Sequence, residues 1–187
     1  MIIQNHIARK VGDTVQQRID ALGIGQKMQD LPEELWHDSF RFYVKEDKTR
    51  KGGPNMRLIR LDPNQPSLTV TGFIFNKFVH PYENRYITVR EAARLQGFPD
   101  EIEFKGGLTS TQQQVGNAVP VPLAKAIFNH ICHFASLNGF EVLRGLSLFC
   151  GAGGLDIGAH EANYNYCHID TRLAIDCWKD ACDTLRG

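Results

Sequence analysis

An α/β fold is predicted by three observations. Leu146–Gly158 (Leu-Ser-Leu-Phe-Cys-Gly-Ala-Gly-Gly-Leu-Asp-Ile-Gly) reads as a short apolar strand, a glycine-rich turn and the start of a helix. Thr171–Asp176 reads as a second strand that ends on an acidic residue, about 25 residues past that turn. Upstream, the stretches around Thr88–Asp100 and Val121–Phe134 carry helix starts and stops rather than strand alternation. Only about one strand and one helix follow the glycine turn, too few to complete a nucleotide-type sheet.

The 187 residues are enough for one or two domains with a real core, and the 42% hydrophobic and 22% charged composition is ordinary for a soluble globular protein. No run approaches the ~18–20 apolar residues of a membrane span, and the N-terminus has no signal-peptide pattern. A membrane partner is therefore not expected, and a cytoplasmic setting is. The five cysteines are odd in number and form no Cys-x-x-Cys pair, which suits a reduced protein without a metal site. The zero net charge hides an asymmetry. From Arg41 to Arg60 there are seven Lys/Arg against two Asp/Glu, and from Glu141 to Gly187 four against seven. Such separation suits one surface that meets a polyanion, and equally a solvated basic loop.

In chain order, Val15, Ile19 and Leu22 sit at helical spacing, and Gly23 and Gly25 stop that helix. A second short helix is expected near Pro32, with Glu33 and Glu34 at its positive end. Lys48–Pro54 is a basic loop, and Met56–Leu61 is expected to be a strand that projects Arg57 to solvent. After the turn at Asp62–Pro66, Ser67–Thr71 is expected as a β-rich strand ended by Gly72. Phe73, Phe75, Phe78 and Tyr82 read as core.

Thr88 and Glu91 are spaced as a capping box. Ala92, Ala93 and Leu95 give that helix a small packing face, Gly97 ends it, and Pro99 prevents its resumption. Gly116-Asn117 reads as a turn leading, through Pro120 and Pro122, into an apolar helix from about Val121 to Phe134. The glycine turn follows, then a helix over roughly 155–162, the second strand and a last short helix. An acidic residue at Asp176 suits the hydroxyls of a ribose.

With these residues in place, the chain resembles the cytosine-C5 DNA methyltransferases. Phe149–Gly154 (Phe-Cys-Gly-Ala-Gly-Gly) is similar to that family's cofactor motif, Thr88–Asp100 to its ninth motif and Gln114–Leu123 to its tenth. The strand pair expected around Arg57–Leu61 and Ser67–Thr71 resembles the end of the target-recognition domain. The order is rotated, with recognition-domain end, nine, ten and then one, as in a circular permutant. The resemblance implies a fragment of an S-adenosylmethionine-dependent methyltransferase sheet plus part of the small target-recognition domain. Segments 1–86, 87–135 and 136–187 would then be recognition domain, bridging helices and cofactor-binding elements.

The resemblance also implies roles. Phe149, Cys150, Gly151, Gly153 and Gly154 would cradle S-adenosylmethionine, Asp176 would meet its ribose, and Cys177 would lie at the adenine with Trp178 beside it. Asn117, Ala118 and Val119 would close over its methionine end. Arg57, Thr69 and Thr71 would approach duplex DNA, and Arg90 and Glu91 would brace the recognition domain against the sheet. Each has a plainer reading: a tight strand–helix turn, a helix cap, edge-strand packing, a capped helix.

The family's chemistry needs a cysteine in a Pro-Cys pair to attack a flipped cytosine and a glutamate in Glu-Asn-Val to hold its ring. None of the eight prolines here precedes a cysteine, and Glu83-Asn84 is followed by Arg85. No catalytic residue is assigned. Three readings stay open: one part of a split, permuted bacterial or phage restriction-modification enzyme whose complementary chain carries those motifs, a truncated piece of a longer one, or an inactive DNA- or cofactor-binding module. A dinucleotide oxidoreductase explains less, because Gly151-x-Gly153-Gly154 is not Gly-x-Gly-x-x-Gly.

Overall fold

The structure is a computed structural model that describes residues 3–45, 58–72, 75 and 77–187. Its contacts divide the chain into two units, one of Ile7–Thr69 with Phe73–Thr88, and one of Met1–His6, Val70–Gly72 and Val89–Gly187. From Val89 onward the expected segments 87–135 and 136–187 thus share one unit, to which the N-terminal residues also belong.

In the smaller unit, α1 (Asp13–Ala21) is the helix expected from Val15 and Ile19. Near Pro32 the chain makes a single 3₁₀ turn, Glu33–Leu35, and then α2 (Asp38–Lys45). The strand expected over Met56–Leu61 is present as β1 (Ile59–Arg60), parallel to β2 (Phe78–Val79). Arg57 and Lys48–Pro54 lie outside the described residues, as does Phe73. Ile19, Leu22, Met28, Leu31, Phe40, Leu58, Val79 and Tyr86 form one buried cluster.

Arg60 belongs to the basic stretch but not to a basic surface. Its side chain is buried, and each of its five N–H groups has an acceptor. Nε donates to the carbonyl of Leu22; one terminal nitrogen donates to the carbonyls of His80 and Glu83, and the other to the carbonyl of Ile19 and Oδ1 of Asn84, all at 2.6–3.1 Å. Burial lowers its pKa, which Asp20 partly offsets. Here the guanidinium replaces missing backbone partners where strands are short. Glu83 pairs with Arg85 at 2.7 Å, so Glu83-Asn84 is part of this brace.

The larger unit opens with α3 (Val89–Leu95). It ends as the sequence dictates. Gly97 takes φ +78°, Phe98 N–H donates to the carbonyl of Ala93, and Gly97 N–H to that of Arg94. Two corrections follow. Ser67–Thr71 forms no strand; it lacks a ladder partner, and the Thr71–Gly72 backbone instead lies against Gly116, where a Cβ would come within 2.0 Å of Gly72 N. Nor is Gly116-Asn117 a free turn. It closes an unexpected helix, α4 (Leu108–Asn117).

The apolar helix α5 spans Val121–Leu137. The strand into the glycine turn starts earlier than expected, as β3 (Val142–Leu148), and is followed by α6 (Gly154–His160). A two-residue hairpin, with Asn165 and Tyr166 both at positive φ, joins β4 (Asn163–Tyr164) to β5 (Cys167–Ile175). β5 lies parallel to β3, with Leu146 opposite Leu173 and Leu148 opposite Ile175. The last helix, α7, is Lys179–Arg186.

Two faces of this small sheet differ. Leu143 and Ile169 pack on Cys132, Ala135 and Cys167, so α5 covers one side. The other side carries Leu146, Leu148, Leu173 and Ile175 exposed, Leu146 at 69%. A parallel sheet is ordinarily covered on both faces.

Candidate cofactor site

The glycine turn is held in shape by its own backbone and by one carboxylate. Cys150 N–H extends the ladder to the carbonyl of Ile175, and Gly153 N–H donates to the carbonyl of Cys150. Phe149 (φ +57°), Gly151 (+55°) and Gly153 (+83°) all adopt the left-handed region. For Phe149 this is strained, a condition that clusters at functional sites; its ring is 87% exposed. Asp176, at the end of β5, accepts Gly151 N–H on Oδ2 and Trp178 N–H on Oδ1, both at 2.8 Å. These bonds, Trp178's first, hold its pKa below the ordinary carboxylate value.

A cavity of about 380 Å³ opens above the turn. It is lined by Phe149–Ala152, Gly154–Asp156, Asp176–Trp178 and Gln114 with Asn117–Val119, among others. Nine of the ten residues that the resemblance assigns to the cofactor line this one space. Gly153 is the other; it lies behind the turn, where a Cβ would come within 2.4 Å of Leu185 Cδ1. Gly154 brings Asn117–Val119 to the turn, since a Cβ there would stand 2.5 Å from Val119 O.

Gln96, buried just before Gly97, was not expected to matter. Its Nε2 donates to the carbonyls of Val115 and Ala118 at 3.2 and 3.1 Å, and its own carbonyl accepts Val121 N–H at 2.8 Å. It therefore fixes the joint between α4 and α5 that presents Ala118 and Val119. An amide directly before a helix-stop glycine was the available signal.

Burial, then Asp156, Asp176 and Cys182, raise the Cys150 thiol pKa above its ordinary value, which disfavours the thiolate. Cys177 is exposed on the cavity wall. Arg90 is fully buried in the larger unit, bonded to the carbonyls of Gln4, Pro99 and Ile102. Burial lowers its pKa, with Asp100 opposing. Its partners thus tie α3 to the following loop and to the N-terminal residues. Thr69 and Thr71 are exposed. Among the described residues, no group of three or more His, Cys, Asp or Glu could hold a metal, and no helix is long and apolar enough to cross a membrane.

The space fits S-adenosylmethionine. It has a small ligand's volume, mixed apolar and polar walls, and an ionised acid whose oxygens keep lone pairs for a diol. Asp176→Asn is expected to loosen the turn, because an amide supplies one acceptor where two N–H groups need one each. A depressed pKa means that the ionised acid's contribution to stability is whole above the unfolded value of about 3.9 and is lost as pH falls through the folded one. Thermal melts of both proteins should therefore differ at pH 7 and draw together as pH falls below about 3.9.

Comparison with known proteins gives the family. Residues 4–133 match the model of the C-5 cytosine-specific DNA methylase family. The chain is 40% identical over 115 residues to the type II methyltransferase M.Sau96I of Staphylococcus aureus, covering 60% of this chain and 25% of that protein. It is 48% identical over 92 residues to M.AquIB of Picosynechococcus, covering 43% of this chain and 65% of that one, and 33% identical over 153 residues to M.DdeI of Desulfomicrobium norvegicum, covering 73% and 34%. The chain thus spans a quarter to about two thirds of these relatives. That family uses S-adenosylmethionine as methyl donor. With 130 of its 187 residues matched, the chain belongs to the C-5 cytosine-specific DNA methylase family.

Proposed function

We propose that this chain is one part of a circularly permuted DNA (cytosine-5-)-methyltransferase that transfers methyl from S-adenosylmethionine to cytosine in duplex DNA. It supplies the cofactor pocket and DNA-contacting elements, while the Pro-Cys nucleophile and the Glu-Asn-Val glutamate are carried by a complementary chain or segment. The observation that carries this reading is the single cavity lined by Phe149–Ala152, Asn117–Val119 and Asp176–Trp178, stretches far apart in sequence.

In this pocket Asp176 binds the ribose hydroxyls, and the backbone of Cys150–Gly154 with Asn117–Val119 surrounds the methionine end. Cys177 and Trp178 border the adenine. The bound cofactor supplies an electrophilic methyl group; the chain's own residues orient it and exclude water. Thr69, Thr71 and Arg57 serve the DNA, and Arg90 and Glu91 are structural. The exposed apolar face of β3 and β5 supports a requirement for further elements to cover it.

Calorimetry tests the pocket. The chain should bind S-adenosylmethionine and its demethylated product but not a nicotinamide dinucleotide. Binding of the dinucleotide alone would overturn the assignment.

A further inference from the structure

Gln114 and Thr184 are each 1% exposed and lie on different helices, α4 and α7. Thr184 Oγ1 accepts Lys105 N–H at 2.8 Å, and its one proton has Gln114 Oε1 at 2.6 Å as the nearer of two acceptors, the carbonyl of Asp180 being 3.0 Å away. Gln114 Nε2 in turn donates to the carbonyl of Lys105 at 2.8 Å and lies 3.3 Å from Ser110 Oγ. Ser110 Oγ donates to Asp180 Oδ2 at 2.6 Å. Gly106 (φ +100°) makes room, since a Cβ there would stand 2.2 Å from that oxygen. The two helices are thus joined by a closed set of hydrogen bonds, the Thr184–Gln114 bond at its centre buried and the rest partly so.

What each helix leads into gives the set its meaning. α4 runs directly into Asn117–Val119, and α7 starts directly after Asp176–Trp178, two separate parts of the cavity lining. Gln114 itself reaches the cavity. We infer that Gln114 and Thr184 form a latch, with Ser110 and Asp180 as its outer half, that sets the spacing between these two parts of the lining and so controls cofactor affinity. Both are positioning residues. The affinity consequence rests on the proposed S-adenosylmethionine pocket, whereas the positional consequence does not.

Thr184→Val removes the hydroxyl at nearly constant volume and leaves the Gln114 oxygen and Lys105 N–H unpaired; Thr184→Ser keeps the hydroxyl. The loss should weaken S-adenosylmethionine binding about tenfold or more in calorimetry of the full chain. Ser110→Ala, which spares the buried core, should weaken it less. The chain has two tryptophans, so 5-fluorotryptophan labelling gives two fluorine resonances, with Trp178→Phe identifying the cavity one. In Thr184→Val and Ser110→Ala the ligand-free Trp178 resonance should shift or broaden, with the Trp36 resonance unmoved, and Thr184→Ser should restore it.

The inference is overturned if Trp178 keeps its wild-type resonance in both variants, or if wild-type affinity persists in both. A Thr184→Val chain that does not fold leaves Ser110→Ala to decide. Were the wild type to bind no S-adenosylmethionine while the Trp178 resonance moved as stated, the pocket assignment would fail and the latch would stand.

Discussion

Arg90→Met should cost the larger unit about 3–5 kcal/mol of stability, because three carbonyls lose a charged donor inside the fold and no water replaces it. Those carbonyls belong to Gln4, Pro99 and Ile102, and the guanidinium also stands 5.6 Å from the centre of the Phe104 ring. Arg90→Lys should rescue little. A single ammonium cannot reproduce a planar fork that meets three acceptors in different directions. Nearby Arg94, which makes a two-pronged pair with Asp100 at the surface, is the control. Its substitution by methionine should shift chemical melting far less, as exposed pairs do. Chemical denaturation of the three variants gives the comparison. Equal losses at Arg90 and Arg94 would contradict it.

Gly158→Ala should separate α6 from α5 and cost about 1–3 kcal/mol or more. The new methyl would stand 2.4 Å from Ala124 Cβ, 2.7 Å from Lys125 N and 2.8 Å from Val121 O. Two of those three atoms are backbone and cannot rotate away. α6 is the helix that begins at Gly154, itself against Val119 O, so movement at Gly158 carries the glycine turn away from Asn117–Val119. A fall in melting temperature accompanied by weaker S-adenosylmethionine binding is the expected pair of results. Gly139→Ala is the control for glycine loss without crowding, since nothing lies within 4 Å of a Cβ there. Its φ of +80° still carries the backbone cost of a left-handed alanine, so it should lose stability but not affinity.

The sequence made some elements legible because their signals are local. Gly97 and Pro99 stop α3 by rules that need no neighbours, and Pro120 and Pro122 mark the start of α5 in the same way. The strand–glycine–helix order at Leu146–Gly158 led to the cavity, because a positive φ at Gly151 and Gly153 is a demand made by the turn itself. What escaped was long-range. Leu108–Asn117 carries few apolar residues, and its helix is anchored by Thr184 and Asp180, about 70 residues away. Ser67–Thr71 has strand composition but no edge to pair with, and composition cannot supply one. Arg60 looked like part of a basic surface, and only the fold brings the carbonyls of Ile19, Leu22, His80 and Glu83 to it.

The pocket residues and the missing nucleophile meet in one assay, which measures radioactive methyl transfer from S-adenosylmethionine to C5 of cytosine in duplex DNA. It compares the chain alone with the chain mixed with a neighbouring-frame polypeptide that carries the Pro-Cys and Glu-Asn-Val motifs. The chain alone should transfer nothing, since no cysteine follows a proline in it. The mixture should methylate, and should stop doing so when the partner's Pro-Cys cysteine is replaced by alanine. Methyl transfer by this chain alone, or undiminished transfer by the mixture after the glycine turn is disrupted at Gly154, would contradict the account.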